Sequence, residues 1–201
     1  LPSGYPFSAD VDLLVQELLD RGVSRCRVAG FSSGAYRALE LALDGRVEVI
    51  SVALLGAIAG LDDAGRAAFR GFAALAAGDS DIMALFLSRT IPPEHVERHP
   101  KDGDEVRSWL LETPRDVLIA ELTSFAEAPD LGRRVGQIDA PIYVRVGDAD
   151  VATPPAVSAA IAAAARRGRL DVVAGCGHCL LLEDREASVR ELANALRNPP
   201  P

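Results

Sequence analysis

Residues 25–45 read RCRVAGFSSGAYRALELALDG. Residues 25–30 form a short run around Cys26, Val28 and the small Ala29, which predicts a strand. From Ala35 onward apolar residues recur at helical spacing, and Gly45 closes the segment. Between strand and helix stands Gly30-Phe31-Ser32-Ser33-Gly34, a G-x-S-x-G turn. So sharp a turn strains the serine backbone and lifts its hydroxyl above the sheet. Both glycines are expected to be needed, because side chains there would collide with the neighbouring strand and helix. Only Ser32 is flanked symmetrically by the glycines, so it is the candidate nucleophile and Ser33 is not. The N–H of Ser33 opens the helix and is aimed at a developing oxyanion. Ser33 and Phe31 are therefore the candidate oxyanion and substrate-binding positions. A Gly/Ser turn without chemistry carries the same letters, and the strand–helix context gives the motif its weight.

Reading outward, residues 8–20 predict a helix capped by Ser8 or Asp10, with Val11, Leu14, Val15, Leu18 and Leu19 on one face. Residues 47–57 are a β-branched run suited to a buried parallel strand. From 61 to 138 the rhythm changes to helical pieces rich in Ala, Leu and Phe, broken at Gly78-Asp79, Pro92-Pro93, Pro100, Gly103 and Pro114. This segment reads as a helical lid inserted into a core made of residues 1–60 and 139–201. The strand–helix rhythm then resumes. A strand is expected over 141–147, and a helix capped by Thr153 and opened by Pro154 runs to about Arg167. Residues 169–174 read as a strand, and a last helix runs from Glu183 to about Arg197. Only the three C-terminal prolines look like a tail. Strands alternating with helices imply an α/β fold, a mostly parallel sheet with helices on both faces.

Two further motifs follow strands. Gly147-Asp148-Ala149-Asp150 ends the strand at 141–147, where an acid can reach a histidine and fix its tautomer; Asp148 and Asp150 compete for that role. Gly175-Cys176-Gly177-His178-Cys179 follows the next strand, and His178 is one of three histidines in the chain. A lone histidine is more often structural, but two flanking glycines offer it little packing. Cys176, His178 and Cys179 also raise a metal or redox reading, against which stands the lack of a second ligand pair. The order Ser, then Asp, then His, each after its own strand, carries more than any single motif.

The 201 residues suit one domain with one sizeable core. A net charge of −8 repels phosphate backbones and anionic headgroups, so neither nucleic acid nor a membrane surface is an expected partner. The longest apolar stretch, near residues 47–61, is too short and broken to span a bilayer. Three cysteines make a disulfide framework improbable and fit a reducing cytoplasm; the N-terminal LPSGYPFSAD has no signal-peptide pattern, and the chain starts at Leu1 rather than Met.

On these motifs, residues 5–197 resemble the C-terminal three-quarters of the α/β-hydrolase superfamily. The resemblance implies an α/β-hydrolase fold and assigns the acid to the last position of G-x-x-D, which is Asp150. It implies a triad of Ser32, Asp150 and His178 acting on a carboxylic ester, lactone or thioester through an acyl-enzyme, with no cofactor. Residues 139–183 look most like 3-oxoadipate enol-lactonases and related small esterases. Two departures stand out. Ala35 occupies a position where the family usually has a second glycine, and nothing upstream of Ser8 resembles the His-Gly loop that supplies a second oxyanion donor. The N-terminal part of the sheet is thus expected to be absent, which leaves the strand at 26–29 as a bare apolar edge and a homo-oligomer as an open possibility. An acyltransferase, a cofactor-free perhydrolase and a non-catalytic binding module are the rival readings.

Weaker features fill in the insertion. His95 and His99, four apart, read as a solvated piece of lid rather than metal ligands, since Val96 stands where a metalloprotease needs glutamate. Leu75, Met83, Leu85, Phe86, Leu87 and Trp109 are candidates to line an acyl pocket or to pack the lid on the core. Glu183 reads as the start of the final helix.

Overall fold

The computed structural model describes residues 8–78 and 82–199. The sequence upstream of Ser8, the Asp79 breaker, and Pro200 and Pro201 of the expected tail lie outside the described residues.

The chain opens with α1 (Ala9–Asp20), β1 (Arg25–Phe31), α2 (Ser33–Asp44) and β2 (Glu48–Leu55). Five helices follow: α3 (Asp63–Ala77), α4 (Met83–Thr90), α5 (Pro93–Arg98), α6 (Pro100–Glu112) and α7 (Arg115–Glu127). After a 3-10 turn (Gly132–Gln137) come β3 (Ile142–Gly147), α8 (Pro155–Ala164), β4 (Gly168–Val173), α9 (Leu180–Glu183) and α10 (Arg185–Arg197). The strands form one parallel sheet in the order β1-β2-β3-β4, with Val28 opposite Val52, Val52 opposite Ile142 and Ile142 opposite Gly168.

The period-two alternation of β2 and β3 builds both faces of the sheet. Val52, Leu54, Ile142 and Val144 point to one side, where Ala35 and Leu39 of α2 and Ile161 of α8 close the main core. Ala53 and Tyr143 point to the other, against Leu192 and Ala195 of α10. On that side Arg145 is 6% exposed and is held by Asp171, Asp184 and the Ser188 hydroxyl, and Asp171 also accepts from the Tyr143 hydroxyl. Burying a guanidinium is tolerable only with its donors so occupied. Helix α1 packs Val11 and Val15 against Leu41 of α2 and Val47.

Prolines set the starts of the middle helices. Pro93 and Pro100 occupy the first positions of α5 and α6, and Pro114 precedes α7. Fixed φ and a missing N–H cost nothing at a helix start, which is why these breakers separate helices. Helices α3 and α7 pack together, tied by Arg66 donating to the Ala126 and Ala128 carbonyls.

Several local expectations are corrected. Thr153 does not cap α8; Pro154 holds the cap position without a side-chain bond, and the threonine hydroxyl turns elsewhere. Glu183 ends the short α9 instead of opening the last helix, which Asp184 precedes. Among the described residues β1 pairs only with β2, and its exposed positions are Arg25, Arg27 and Ala29, so this edge strand carries two charges beside the apolar residues expected there. No helix among the described residues is long and apolar enough to cross a membrane.

Candidate active site

Ser32 ends β1. Its N–H still donates to Leu55 O of the neighbouring strand at 3.0 Å, while its carbonyl already accepts from Ala35 N at 2.9 Å as α2 begins. One residue makes the whole change from strand to helix, and its backbone adopts φ 53° and ψ −119°. Among the described residues Ser32 is the one non-glycine with positive φ. Conformations of that kind cost of order 1–3 kcal/mol and persist where their surroundings over-determine them. The two flanking glycines differ. A Cβ on Gly30 would overlap the Gly34 carbonyl, whereas a Cβ on Gly34 would meet nothing within 4 Å. Gly30 alone is sterically required, because the close approach runs from the helix backbone to the strand.

The loops after β3 and β4 bring Asp150 and His178 to that serine. His178 is 4% exposed; its Nδ1 lies 2.8 Å from Asp150 Oδ2 and its Nε2 lies 2.9 Å from Ser32 Oγ. With the proton on Nδ1 facing the carboxylate, Nε2 is left to accept from the serine hydroxyl. Asp150 is 3% exposed, and its oxygens also accept from the Ala152 and Thr153 N–H groups and the Thr153 hydroxyl. Burial pushes its pKa up, but the His178 and Thr153 contacts outweigh burial and leave the carboxyl below its ordinary value. Asp148, the competing acid, is exposed and accepts from Gly175 N at 2.7 Å, so it ties the two loops together at a distance from the imidazole.

Three residues complete the arrangement: Gly56, which no motif marks, and Thr153 and Glu183, whose sequence context suggests helix starts. Thr153 Oγ1 lies 2.8 Å from Asp150 Oδ2 and 3.2 Å from His178 Nδ1. Gly56, at φ 50°, passes beneath the ring, where a Cβ would stand 2.8 Å from His178 Nδ1. Glu183 accepts from Gly177 N at 2.6 Å and fixes the loop one residue before the histidine. Gly147 lacks a side chain where the Cys176 and Gly177 carbonyls cross the end of β3. Phe31 packs its ring 4.9 Å from the imidazole and is not among the residues that line the cavity.

Burial, reinforced by nearby carboxylates, raises the Cys176 thiol to about 11 and the Cys179 thiol to about 12. Both are thiols at neutral pH, so neither is an activated nucleophile. Both nitrogens of His178 are engaged, and no group of three His, Cys, Asp or Glu among the described residues could hold a metal. His95 is not solvated: it is 6% exposed, bonded to Asp102 at 2.6 Å and packed on the His99 ring at 4.7 Å.

A cavity of about 370 Å³ opens over Ser32, Ser33 and His178. Leu85 and Phe86 line it as expected; Leu75 and Trp109 are instead on the surface. Its large apolar side chains include Phe69 and Phe72 of α3 and Leu118, Leu122 and Phe125 of α7. Their spacings of three, four and three mark one face of each helix, a signal present in the sequence. Of the two charged residues at the wall, Glu121 has both oxygens bonded to Arg37, at 3.0 and 2.8 Å.

Comparison with known proteins bears on this geometry. No curated protein matches the sequence. Solved structures do. A thermophilic esterase from Thermogutta terrifontis superposes with a TM-score of 0.89 at 22% identity, covering 100% of this chain and 75% of that one. The enol-lactonase from Burkholderia xenovorans LB400 gives 0.87 at 20% identity, over 98% and 75%. A hydrolase from Pseudomonas aeruginosa PA01 gives 0.87 at 23%, over 98% and 74%. These likenesses establish the fold. The model of the alpha/beta hydrolase family matches residues 1–191, and with the parallel sheet and strained serine turn already described, the chain belongs to the α/β-hydrolase family.

Proposed function

We propose that this protein is a serine hydrolase that cleaves a carboxylic ester, lactone or thioester through an acyl-enzyme on Ser32. The observation that carries the reading is the unbroken relay Ser32 Oγ, His178 Nε2, His178 Nδ1, Asp150 Oδ2, with contacts of 2.9 and 2.8 Å. Ser32 Oγ attacks the substrate carbonyl as His178 Nε2 takes its proton. Asp150 holds the tautomer and stabilises the imidazolium, and its depressed pKa keeps it ionised for that task. The carbonyl oxygen becomes an oxyanion beside the N-terminus of α2, where the Ser33 N–H has no acceptor within the helix. Collapse of the tetrahedral intermediate expels the alcohol or thiol, which takes the proton from His178. Water, deprotonated by the same histidine, then releases the acid and restores Ser32.

Residues 61–138 act as the lid of this site, and their aromatic and aliphatic walls suit a small molecule with an apolar acyl group. A cavity of about 370 Å³ is near the lower end of ligand pockets, which favours a modest acyl chain. Three free cysteines accord with a reducing cytoplasm. Incubation with a fluorophosphonate, followed by intact mass, tests the reading. One adduct that is absent in Ser32→Ala supports it, and no adduct on folded protein overturns it. Products formed with competing alcohol or peroxide then separate hydrolysis from acyl or peroxide transfer.

A further inference from the structure

We infer that residues 89–92, the end of α4 and its link to α5, brace the loops that carry Asp150 and His178 in register, with Arg89 as the positioning residue; this rests on the triad reading above. Three separate contacts meet in that segment. Arg89 Nη2 donates to Val151 O at 2.9 Å, one residue past Asp150. Thr90 O accepts from Cys179 N at 3.0 Å, one residue past His178. Pro92 packs on Gly177, one residue before His178, so closely that a Cβ there would stand 2.5 Å from Pro92 Cδ.

Three of these four consecutive residues thus reach the two loops, each time beside the functional side chain. The segment is itself fixed: Thr90 and Ile91 are buried, and the Thr90 hydroxyl donates to Phe86 O at 2.9 Å. The Arg89 guanidinium also lies over the Phe72 ring at 5.7 Å, and among the described residues it has no carboxylate at ion-pair distance. Among the described residues its hydrogen-bond acceptor is therefore the acid loop.

The physical need is plain. Asp150 and His178 follow different strands, β3 and β4, so their 2.8 Å contact depends on loop-to-loop spacing. On the sheet side that spacing is set by Ala149 N to Cys176 O and by Gly175 N to Asp148 Oδ1. On the cavity side the contacts just described come from residues 89–92. Displacements of about 1 Å in a reacting group cost up to about a hundredfold in rate. A residue that acts through such spacing changes kcat and leaves substrate binding alone.

The test compares wild type with Arg89→Met, which keeps the apolar stem and removes the donor. Two aryl esters of equal chain length are used, one neutral and one ending in a carboxylate, along with the rate of fluorophosphonate adduct formation on Ser32. The expected result is a fall of about tenfold in kcat on both esters and in the adduct rate, with KM within twofold. An unchanged kcat and adduct rate overturns the brace. So does a rise in KM confined to the carboxylate ester, which makes Arg89 a substrate-binding group. If Arg89→Met does not fold, Pro92→Ala tests the other end of the segment, and an unchanged kcat there overturns the inference equally. Failure of the wild type to form an adduct removes the hydrolase reading itself and is read from the same experiment.

Discussion

Gly56→Ala strikes the site from outside the cavity, since Gly56 is not among the residues that line it. The new Cβ would stand 2.8 Å from His178 Nδ1, 2.9 Å from its Cε1 and 3.3 Å from Thr153 Oγ1. An ordinary carbon contact is about 3.5 Å, so the ring or the backbone must retreat by about 0.7 Å. The backbone resists, because Gly56 N donates to Arg145 O in the next strand at 3.0 Å. The ring therefore moves, and it cannot do so without lengthening its contact to Asp150 or to Ser32. Scaled from about a hundredfold per 1 Å, the expected loss in kcat is about 10- to 100-fold, with KM little changed. Alanine at a φ of 50° adds about 1–2 kcal/mol of instability. Steady-state ester hydrolysis, run well below the variant's melting temperature, separates the two effects, and urea denaturation measures the second. A folded Gly56→Ala protein with kcat within about twofold of wild type would refute the claim that this glycine makes room for the imidazole.

Asp150→Asn is expected to lower kcat by about 10⁴-fold, because the amide can stabilise the wrong tautomer. Asp148→Asn is expected to stay within a few-fold, since the amide oxygen still accepts from Gly175 N–H; equal losses in stopped-flow acylation would reverse the assignment of the acid. Cys176 and Cys179 should escape iodoacetamide at pH 8 in the folded protein and react in urea, as read by intact mass. Their folded pKa values, about 11 and about 12, lie above the unfolded thiol value of about 8.5. Their contribution to stability is therefore full below about pH 8.5 and is lost as pH rises toward 11–12. A melting temperature that does not fall over that range would contradict the burial. Arg145→Met leaves Asp171 and Asp184 facing each other without their cation, and about 3 kcal/mol of stability should be lost in chemical denaturation, the low end for a buried pair because both acids are about one-third exposed.

The framework was legible because a parallel strand writes itself plainly. The runs at 25–30, 47–57, 141–147 and 169–174 match β1 to β4 within two residues at each end. The central β2 and β3, buried over most of their length, are apolar almost throughout, whereas β1 and β4 alternate apolar residues with exposed ones such as Arg27 and Arg169. The prolines of the insertion were equally plain. Thr153 was misread for a physical reason: Thr-Pro-Pro is a helix-start signature, and sequence alone does not say that an Asp150 carboxylate three residues upstream competes for the hydroxyl. The same applies to Glu183. Acidic residues suit a helix N-terminus, but this one satisfies the Gly177 N–H, which the histidine loop cannot satisfy for itself.

The site divides along the same line between local and distant causes. The serine turn is local: strand, glycine and helix are contiguous, so the strain at Ser32 follows from one unbroken stretch of sequence read in order. Even there, locality misled at Gly34, since flanking symmetry implied a clash that the helix direction avoids. What surrounds the imidazole is not local. Gly56, Thr153, Glu183 and Thr90 come from four different stretches and converge only because the loops after β2, β3 and β4 and the end of α4 meet above one end of the sheet. His95 shows the converse. In a segment as charged as residues 93–98 it looks solvated, yet Asp102, across a helix break, offers its Nε2 a partner and lets it be buried. Chemistry in this protein is therefore specified by short motifs and its precision by contacts between them. A substitution at such a contact should alter rate before it alters affinity, which makes the split between kcat and KM the most telling measurement on any of these four positions.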